Sequence, residues 1–311
     1  MKRPVAPIVA ALLVMAVRPS GRLAAQTEGS VLPLIPGSTR SAALGNAGAA
    51  LVGDAGAMFA NPAGIATIRH LSIEGSYEPY LAGSALSSAA LALRVTRFTI
   101  GFGAQALDYG SEAVIVPDPS TGGRTGMPTG ATFHPYEGLA ATSLVYRGGF
   151  AALGVTAKYD RQQYGSKVSD AWAGDVGLAI AVFDIMAMGV SVQNLGGDLE
   201  GEALLPRRTR AGITLNYTDP QGTLRLLTTL EGQWTRNRSA VLVQGLEVGV
   251  VRDGTGLIGR LGYSTRPTVT AASRFTFGGG VVLGRLAVDY AYQGYGVLDS
   301  DTHRVGLRWT P

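Results

Sequence analysis

The chain has 311 residues, enough for one large domain or two modest ones. It contains no cysteine, which excludes disulfides, thiolate metal sites, a cysteine nucleophile and a lipid-modified cysteine. Charged residues make up only 15% and glycines number 44, whereas about a quarter of the residues in an ordinary soluble domain are charged.

The first 25 residues read as an export signal. Lys2 and Arg3 form a basic start, Val5 to Val17 is mostly apolar, and Leu23-Ala24-Ala25 offers small residues for cleavage before Gln26. The apolar stretch is shorter than the ~20 residues a helix needs to span a bilayer. Residues 1–25 carry Lys2, Arg3, Arg18 and Arg22 and no acid, so the formal net charge of +4 resides in this leader. The remainder is neutral, and the sequence pI of about 9.4 is no argument for a nucleic-acid partner.

Residues 26–68 form a segment of their own. Ser41 to Ala60 is rich in Ala and Gly, with Leu44, Leu51, Met58 and Phe59 at loose spacing. This predicts one or two short helices broken at Gly48, Gly53 and Gly56, followed by a turn at Asn61-Pro62. Small residues allow close backbone packing, as in a plug within a barrel mouth.

From Arg69 onward apolar and polar residues alternate in segments of about ten, the rhythm of strands with one dry and one wet face. Fourteen segments begin near residues 70, 86, 97, 136, 149, 171, 185, 208, 223, 240, 255, 271, 285 and 302. In Thr209 to Tyr217, Ala211, Ile213, Leu215 and Tyr217 oppose Arg210, Thr214 and Asn216. In Leu224 to Trp234, Leu224, Leu226, Leu230 and Trp234 oppose Arg225, Thr229, Glu231 and Gln233. Leu286, Val288, Tyr290 and Tyr292 likewise oppose Arg285, Asp289 and Gln293. Turns are marked at residues 148–149, 218–222, 252–256 and 283–284, and longer surface loops are expected over 117–135 and 195–206.

An exported chain with dispersed hydrophobicity and no apolar helix must pack a core or face lipid with alternate residues. Backbone satisfaction in lipid then requires a closed barrel. The expected architecture is an all-β transmembrane antiparallel barrel of about fourteen strands over 69–311, in a bacterial outer membrane, with an N-terminal helical hatch. A soluble sandwich and a propeller are the alternatives. The former fits the number of strands poorly, and no blade-sized repeat supports the latter.

Charges opposite the apolar faces would point into the lumen. This candidate set is Lys158, Asp160, Asp175, Arg210, Arg225, Glu231, Asp289 and Arg308. Such residues either line a permeation path or pair with one another to fill the interior. Tyr77, Tyr80, Tyr109, Tyr136, Tyr146, Tyr164, Tyr217, Trp234, Tyr295 and Trp309 cluster toward segment ends, as in an interfacial girdle. In Arg304 to Trp309, Val305, Leu307 and Trp309 alternate with polar or small residues, like the terminal strand read by the outer-membrane insertion machinery.

Signals for an enzyme are poor. His70, His134 and His303 have no metal-like spacing, no Gly-x-Ser-x-Gly elbow occurs, and Gly278-Gly279-Gly280 lies in a strand pattern. No metal or cofactor is expected. A membrane hydrolase using His134 is the enzymatic alternative.

Gly37-Ser38-Thr39-Arg40, Ala43-Leu44-Gly45-Asn46-Ala47, Gly53-Asp54-Ala55 and Asn61-Pro62-Ala63-Gly64 resemble the N-terminal pattern of the PorV/PorQ-like outer-membrane proteins. The likeness continues through residues 191–197, 206–212, 289–292 and 301–304. That family is similar to the FadL long-chain fatty-acid transporters, with fourteen strands and a hatch. The resemblance implies docking of secreted cargo proteins in a type IX-like export system; alternatively it implies hatch-gated transport of hydrophobic small molecules. Hatch-anchoring candidates are Arg40, Asp54, Asn61, Pro62 and Gly64, with Arg40, Asp54 and Asn61 reaching inward residues such as Glu231 or Asp289. The competing expectation is a solvated turn in which Asn61 merely caps.

Overall fold

The computed structural model describes residues 29–183, 185–199, 203–267, 272–296 and 300–311; the expected leader and its cleavage site lie outside them. The strands are β1 Leu71–Pro79, β2 Ala85–Val95, β3 Phe98–Asp108, β4 Glu112–Pro117, β5 Gly126–Phe133 and β6 Tyr136–Gly148. They continue as β7 Ala151–Tyr164, β8 Lys167–Val182, β9 Met186–Leu195, β10 Asp198–Leu199, β11 Ala203–Leu204 and β12 Arg208–Thr218. The last are β13 Leu224–Thr235, β14 Val241–Arg252, β15 Thr255–Ser264, β16 Phe275–Leu283, β17 Leu286–Tyr295 and β18 Ser300–Trp309.

Fourteen of these close into one antiparallel barrel in the order β1-β2-β3-β6-β7-β8-β9-β12-β13-β14-β15-β16-β17-β18, with β18 returning to β1. Every barrel strand begins within four residues of its expected start. Strands of 9 to 16 residues are long enough to cross a hydrocarbon layer when tilted.

The alternation settles which side chains face out. On β13, Leu227, Thr229, Glu231 and Gln233 are buried, while Leu224, Leu226 and Leu230 are exposed. On β12, Arg210 and Thr214 are buried and Ile213, Leu215 and Tyr217 are exposed. Such a wall is dry outside and polar within, the inverse of a soluble protein.

The two ends of the barrel differ. At one end β2–β3, β6–β7, β14–β15 and β16–β17 are joined by two-residue turns, with positive φ at Thr96, Gly149, Asp253, Gly254 and Gly284. At the other end most connections are longer. Outer-membrane barrels carry short turns on the periplasmic side and longer loops outside, so these ends are termed inner and outer below.

Two loop expectations need correction. The stretch 117–135 contains part of the β4–β5 hairpin, built on Asp118, whose carboxylate accepts the Ser120 N–H at 2.8 Å. Its residues carry no buried face, so amphipathic periodicity gave no sign of it. The stretch 195–206 contains the short β10–β11 ribbon. The aromatic girdle also needs revision: Tyr295 is buried and packs edge-to-face on Tyr80 at 6.4 Å, so these rings line the outer mouth.

The lumen is filled by residues 29–68. The only α-helical turn there is Thr39–Ala43; 3₁₀ turns follow at Ala55–Phe59 and Pro62–Thr67. The helices are shorter than the Ala-rich sequence predicted because Gly45, Asn46 and Gly53 take positive φ between them. Met58, Phe59, Ala63 and Ile65 pack with Leu86, Leu107, Leu139 and Val145 of the wall.

Candidate functional site

The hatch and its seat begin with backbone contacts. A Cβ on Gly189 would overlap the Ala49 carbonyl, and one on Gly262 would overlap the Gly45 amide. Glycine at these inward strand positions lets the hatch backbone lie directly against the wall.

Around Arg40 six side chains form a closed ring of alternating charge. Arg40 donates to both carboxylate oxygens of Glu247 at 2.8 Å and to Asp54 at 2.9 Å. Asp54 also accepts from Arg308, whose other nitrogen lies 3.6 Å from Asp289. Asp289 accepts from Arg260 at 2.6 Å, and Arg260 returns to Glu247 at 2.7 Å. Burial pushes the Asp54 carboxyl up, but the guanidiniums of Arg308 and then Arg40 outweigh it and hold it well below the usual carboxylate range. Three guanidiniums facing three carboxylates leave no net charge within the ring, the condition under which buried ions are tolerated.

A second attachment centres on Glu231. It accepts the Gly48 and Ala49 amides at 2.6 Å each, and Arg210 and Gln233 at 3.1 and 2.8 Å. Arg210 also donates to the Asn46 carbonyl at 2.9 Å and to Gln193 at 3.0 Å, and Gln193 donates to the Phe59 carbonyl at 2.6 Å. Asn61 joins the hatch halves. Its Oδ1 accepts the Ala63 amide at 3.0 Å, while its Nδ2 donates to Ala49 at 2.6 Å and to wall residue Leu178 at 3.2 Å. It is thus both cap and tether. Pro62 opens the 3₁₀ turn that follows, and Gly64 accepts the Gly53 amide through its carbonyl at 3.1 Å.

The expected lumen residues fall as follows. Lys158, Asp160, Asp175, Arg210, Glu231 and Asp289 are buried, and Arg308 nearly so. Lys158 and Asp175 pair at 2.7 Å, and Asp160 accepts from Ser30 at 3.1 Å. Arg225 shares the inward parity of Glu231 but lies exposed at the inner mouth. Arg40 reaches Glu247, and Asp289 connects to the hatch only through Arg308 and Arg260. Glu74, Glu78, Glu137, Glu247 and Arg260 were not among the expected residues. Their inward parity was legible in the alternation, but none sits in the segments whose charge pattern stands out.

Above the hatch, at the outer mouth, lies a cavity of about 500 Å³. Ile35, Pro36, Ala42 and Gly45 of the hatch form its floor, and Tyr80, Tyr292 and Val241 are among its walls. It abuts a seam. The β1–β18 ladder ends at Tyr77 opposite Val305, although β1 continues to Pro79 against β2 and β18 begins at Ser300 against β17. Pro79 has no N–H to continue the ladder. Glu78 and Arg304, 2.6 Å apart, bridge the opening with side chains, and both line the cavity.

On the outer loops His134 lies 2.8 Å from Asp108 and 3.5 Å from Ser111. All three are exposed to water, which screens such pairs, and the Ser–His separation is at the limit of a hydrogen bond. Among the described residues no group of three metal-ligating side chains occurs.

The closed fourteen-stranded antiparallel barrel has the fold of FadL-like outer-membrane barrels. The chain superposes on the Pseudomonas putida toluene transporter TodX with a TM-score of 0.59 at 10% identity, covering 91% of this chain and 98% of that one. It matches the Ralstonia pickettii toluene transporter TbuX at TM-score 0.56 and 14% identity, with 88% and 98% coverage. A Pseudomonas aeruginosa FadL homologue matches at 0.53 and 11%, also covering 88% and 98%. No family model and no curated protein matches the chain by sequence. These likenesses reach the FadL-like barrel; the narrower PorV/PorQ resemblance is not shown by them.

Proposed function

We propose that the chain is a non-enzymatic channel of a bacterial outer membrane that takes up small hydrophobic molecules past its hatch. The observation that carries this reading is the outer-mouth cavity, floored by the hatch and adjoining the break in the β1–β18 ladder. A lumen filled by Arg40, Asp54 and the residues around them suits no wide aqueous pore, whereas a mouth-side chamber beside an interrupted wall suits solutes that partition into lipid. In this reading Arg40, Asp54, Asn61, Pro62 and Gly64 anchor the hatch, and Glu78 with Arg304 guards the seam. The fold shared with two toluene transporters supports the same choice.

The test is uptake of radiolabelled toluene and decane by cells carrying the chain in an outer membrane otherwise poor in such channels. Uptake several-fold above cells without it is expected, together with loss when the seam is locked by a disulfide between Glu78→Cys and Arg304→Cys. Uptake equal to the control strain would refute the reading.

Docking of secreted proteins, the PorV/PorQ expectation, keeps one supporting observation. The β4–β5 hairpin stands on the outer end with Ile115 and Met127 exposed. Deleting residues 112–133 while leaving hydrocarbon uptake intact, and finding exported proteins no longer held at the surface, would favour that second reading.

A further inference from the structure

The inner end of the barrel is strongly basic. Arg69 precedes β1, Arg97 sits in the β2–β3 turn, Arg225 opens β13, Arg252 closes β14 and Arg285 sits in the β16–β17 turn, all exposed. Arg94 and Arg147 lie half-buried beside them. Among the described residues the acids at this end are Asp219 and Asp253. The Asp219 carboxylate already accepts the Leu224 amide at 2.8 Å, and the Arg252–Asp253 pair is 3.6 Å apart and almost fully exposed. The outer end is mixed, with Asp108, Glu112, Asp118, Asp170 and Asp301 among Arg124, Lys167, Arg207, Arg236, Arg266 and Arg274, so cations there are interleaved with acids.

Arg252, Arg285, Arg69 and Arg97 belong to four successive connections from β14 round to β3, all at the level where the strands turn, while Arg225 keeps the inward parity of Glu231. Arg252 shares the outward parity of Val248 and Val250. At the next two turns round, Phe150 and Phe183 are 72% and 88% exposed, with Ile185 beside the latter. Large apolar side chains projecting from turns fit the boundary between headgroups and acyl chains. A belt of cations at that same height along half the rim, continued by these apolar side chains, matches a plane of negative charge better than the localised patch of a soluble partner.

We propose that the inner rim is a binding belt for anionic phospholipid headgroups of the inner leaflet. The guanidinium forks would hold lipid phosphates bidentately, and an anionic surface attracts juxtamembrane arginines. The belt fixes the depth and orientation of the barrel. This rests on the membrane reading above.

The chain carries its own reporters. Trp309 ends β18 at the inner rim and is 41% exposed, while Trp172 lies nearer the outer end of β8 and is 66% exposed, both on the outward face. The full chain is refolded into phosphatidylethanolamine vesicles containing brominated phosphatidylglycerol, as Trp172→Phe/Trp234→Phe and as Trp234→Phe/Trp309→Phe. Trp309 quenching at least about twofold above that set by the mole fraction is expected, with Trp172 quenching at the mole fraction. Arg69→Gln/Arg97→Gln/Arg252→Gln/Arg285→Gln, or 0.5 M salt, should return Trp309 to the bulk value.

Quenching of Trp172 with no excess at Trp309 overturns the belt but leaves the membrane barrel standing. Excess at Trp309 that survives the four substitutions and salt overturns the role of the arginines. Failure of either tryptophan to be quenched by any brominated lipid overturns the membrane reading and the belt with it.

Discussion

Residues 39–54 of the hatch meet the wall through the ion ring, Glu231 and a small apolar cluster of Leu44, Ala47 and Leu51 with Leu227 and Val243, whereas residues 55–68 meet it mainly through the larger cluster of Met58, Phe59, Ala63 and Ile65. Moving the first half exposes Leu44, Ala47 and Leu51, a smaller apolar cluster than the one the second half holds. The second half has polar ties too, its Gly56 amide donating to Glu74 and its Phe59 and Ala60 carbonyls accepting from Gln193 and Ser191, but most of what it would lose is apolar burial, worth roughly 25 cal/mol for each Å² exposed. The cavity floor is drawn from the residues up to Asn46, at and before the polar half. In the proposed uptake reading, a ligand pressing on that floor acts first on residues 35–46.

The sharpest way to separate the halves is Asp54→Ala. It leaves Arg40 and Arg308 buried with one carboxylate fewer, and removing one partner from such a buried pair costs about 3–5 kcal/mol. Hydrogen exchange of residues 39–54 in the refolded barrel should accelerate by about two orders of magnitude or more, while strand amides stay protected. Unchanged exchange would mean that the ion ring does not hold this segment.

Met58→Ala should do the converse. Its side chain is fully buried, and truncations of this kind cost about 2–5 kcal/mol. Exchange should rise over 55–68 and leave 39–54 nearly as protected as before. Both halves loosening together in either variant would show one cooperative plug, and the contrast drawn above would be lost.

The fold was legible because each strand buries one face only. Period-two alternation with charges such as Arg210, Glu231 and Asp289 on the wet face fixes parity, and parity fixes which wall is dry. The hatch was legible as a separate segment from its Ala/Gly content, and Arg40, Asp54 and Asn61 stood out as its polar side chains. Their partners were not legible. Which inward carboxylate meets Arg40 depends on the depth and rotation of the hatch within the barrel, and parity carries neither. Arg40 therefore meets Glu247, and Glu231 instead takes two backbone amides. The β4–β5 hairpin was hidden for another reason, since a hairpin with both faces in water leaves no amphipathic trace.

Glycine offers a finer test. Gly189 and Gly262 are strand residues facing inward, where the hatch backbone touches the wall. Gly189→Ala places a methyl group against the Ala49 carbonyl and should cost about 1–3 kcal/mol, as overpacking does. The barrel should still refold, measured by its shift on unheated gels. Exchange should rise around residues 46–50 in particular. An unshifted hatch would show that the Gly48–Ala49 segment has slack which its two short bonds to Glu231 do not suggest.

The weakest perturbation is mild acid. The Asp54 carboxyl is held below its ordinary value, so its contribution is fully present above about pH 4, where an unfolded aspartate is already ionised. It is lost only as pH falls from there through the lowered folded value. Exchange over 39–54, corrected for the intrinsic effect of pH, should therefore be flat between about pH 5 and 8 and rise only below about pH 4. Residues 55–68 answer to a different carboxylate, since the Gly56 amide donates to Glu74 of β1 at 2.9 Å. A loosening of 39–54 already near pH 6 would contradict the tight hold of Arg308 and Arg40 on Asp54 and place the controlling proton on another residue.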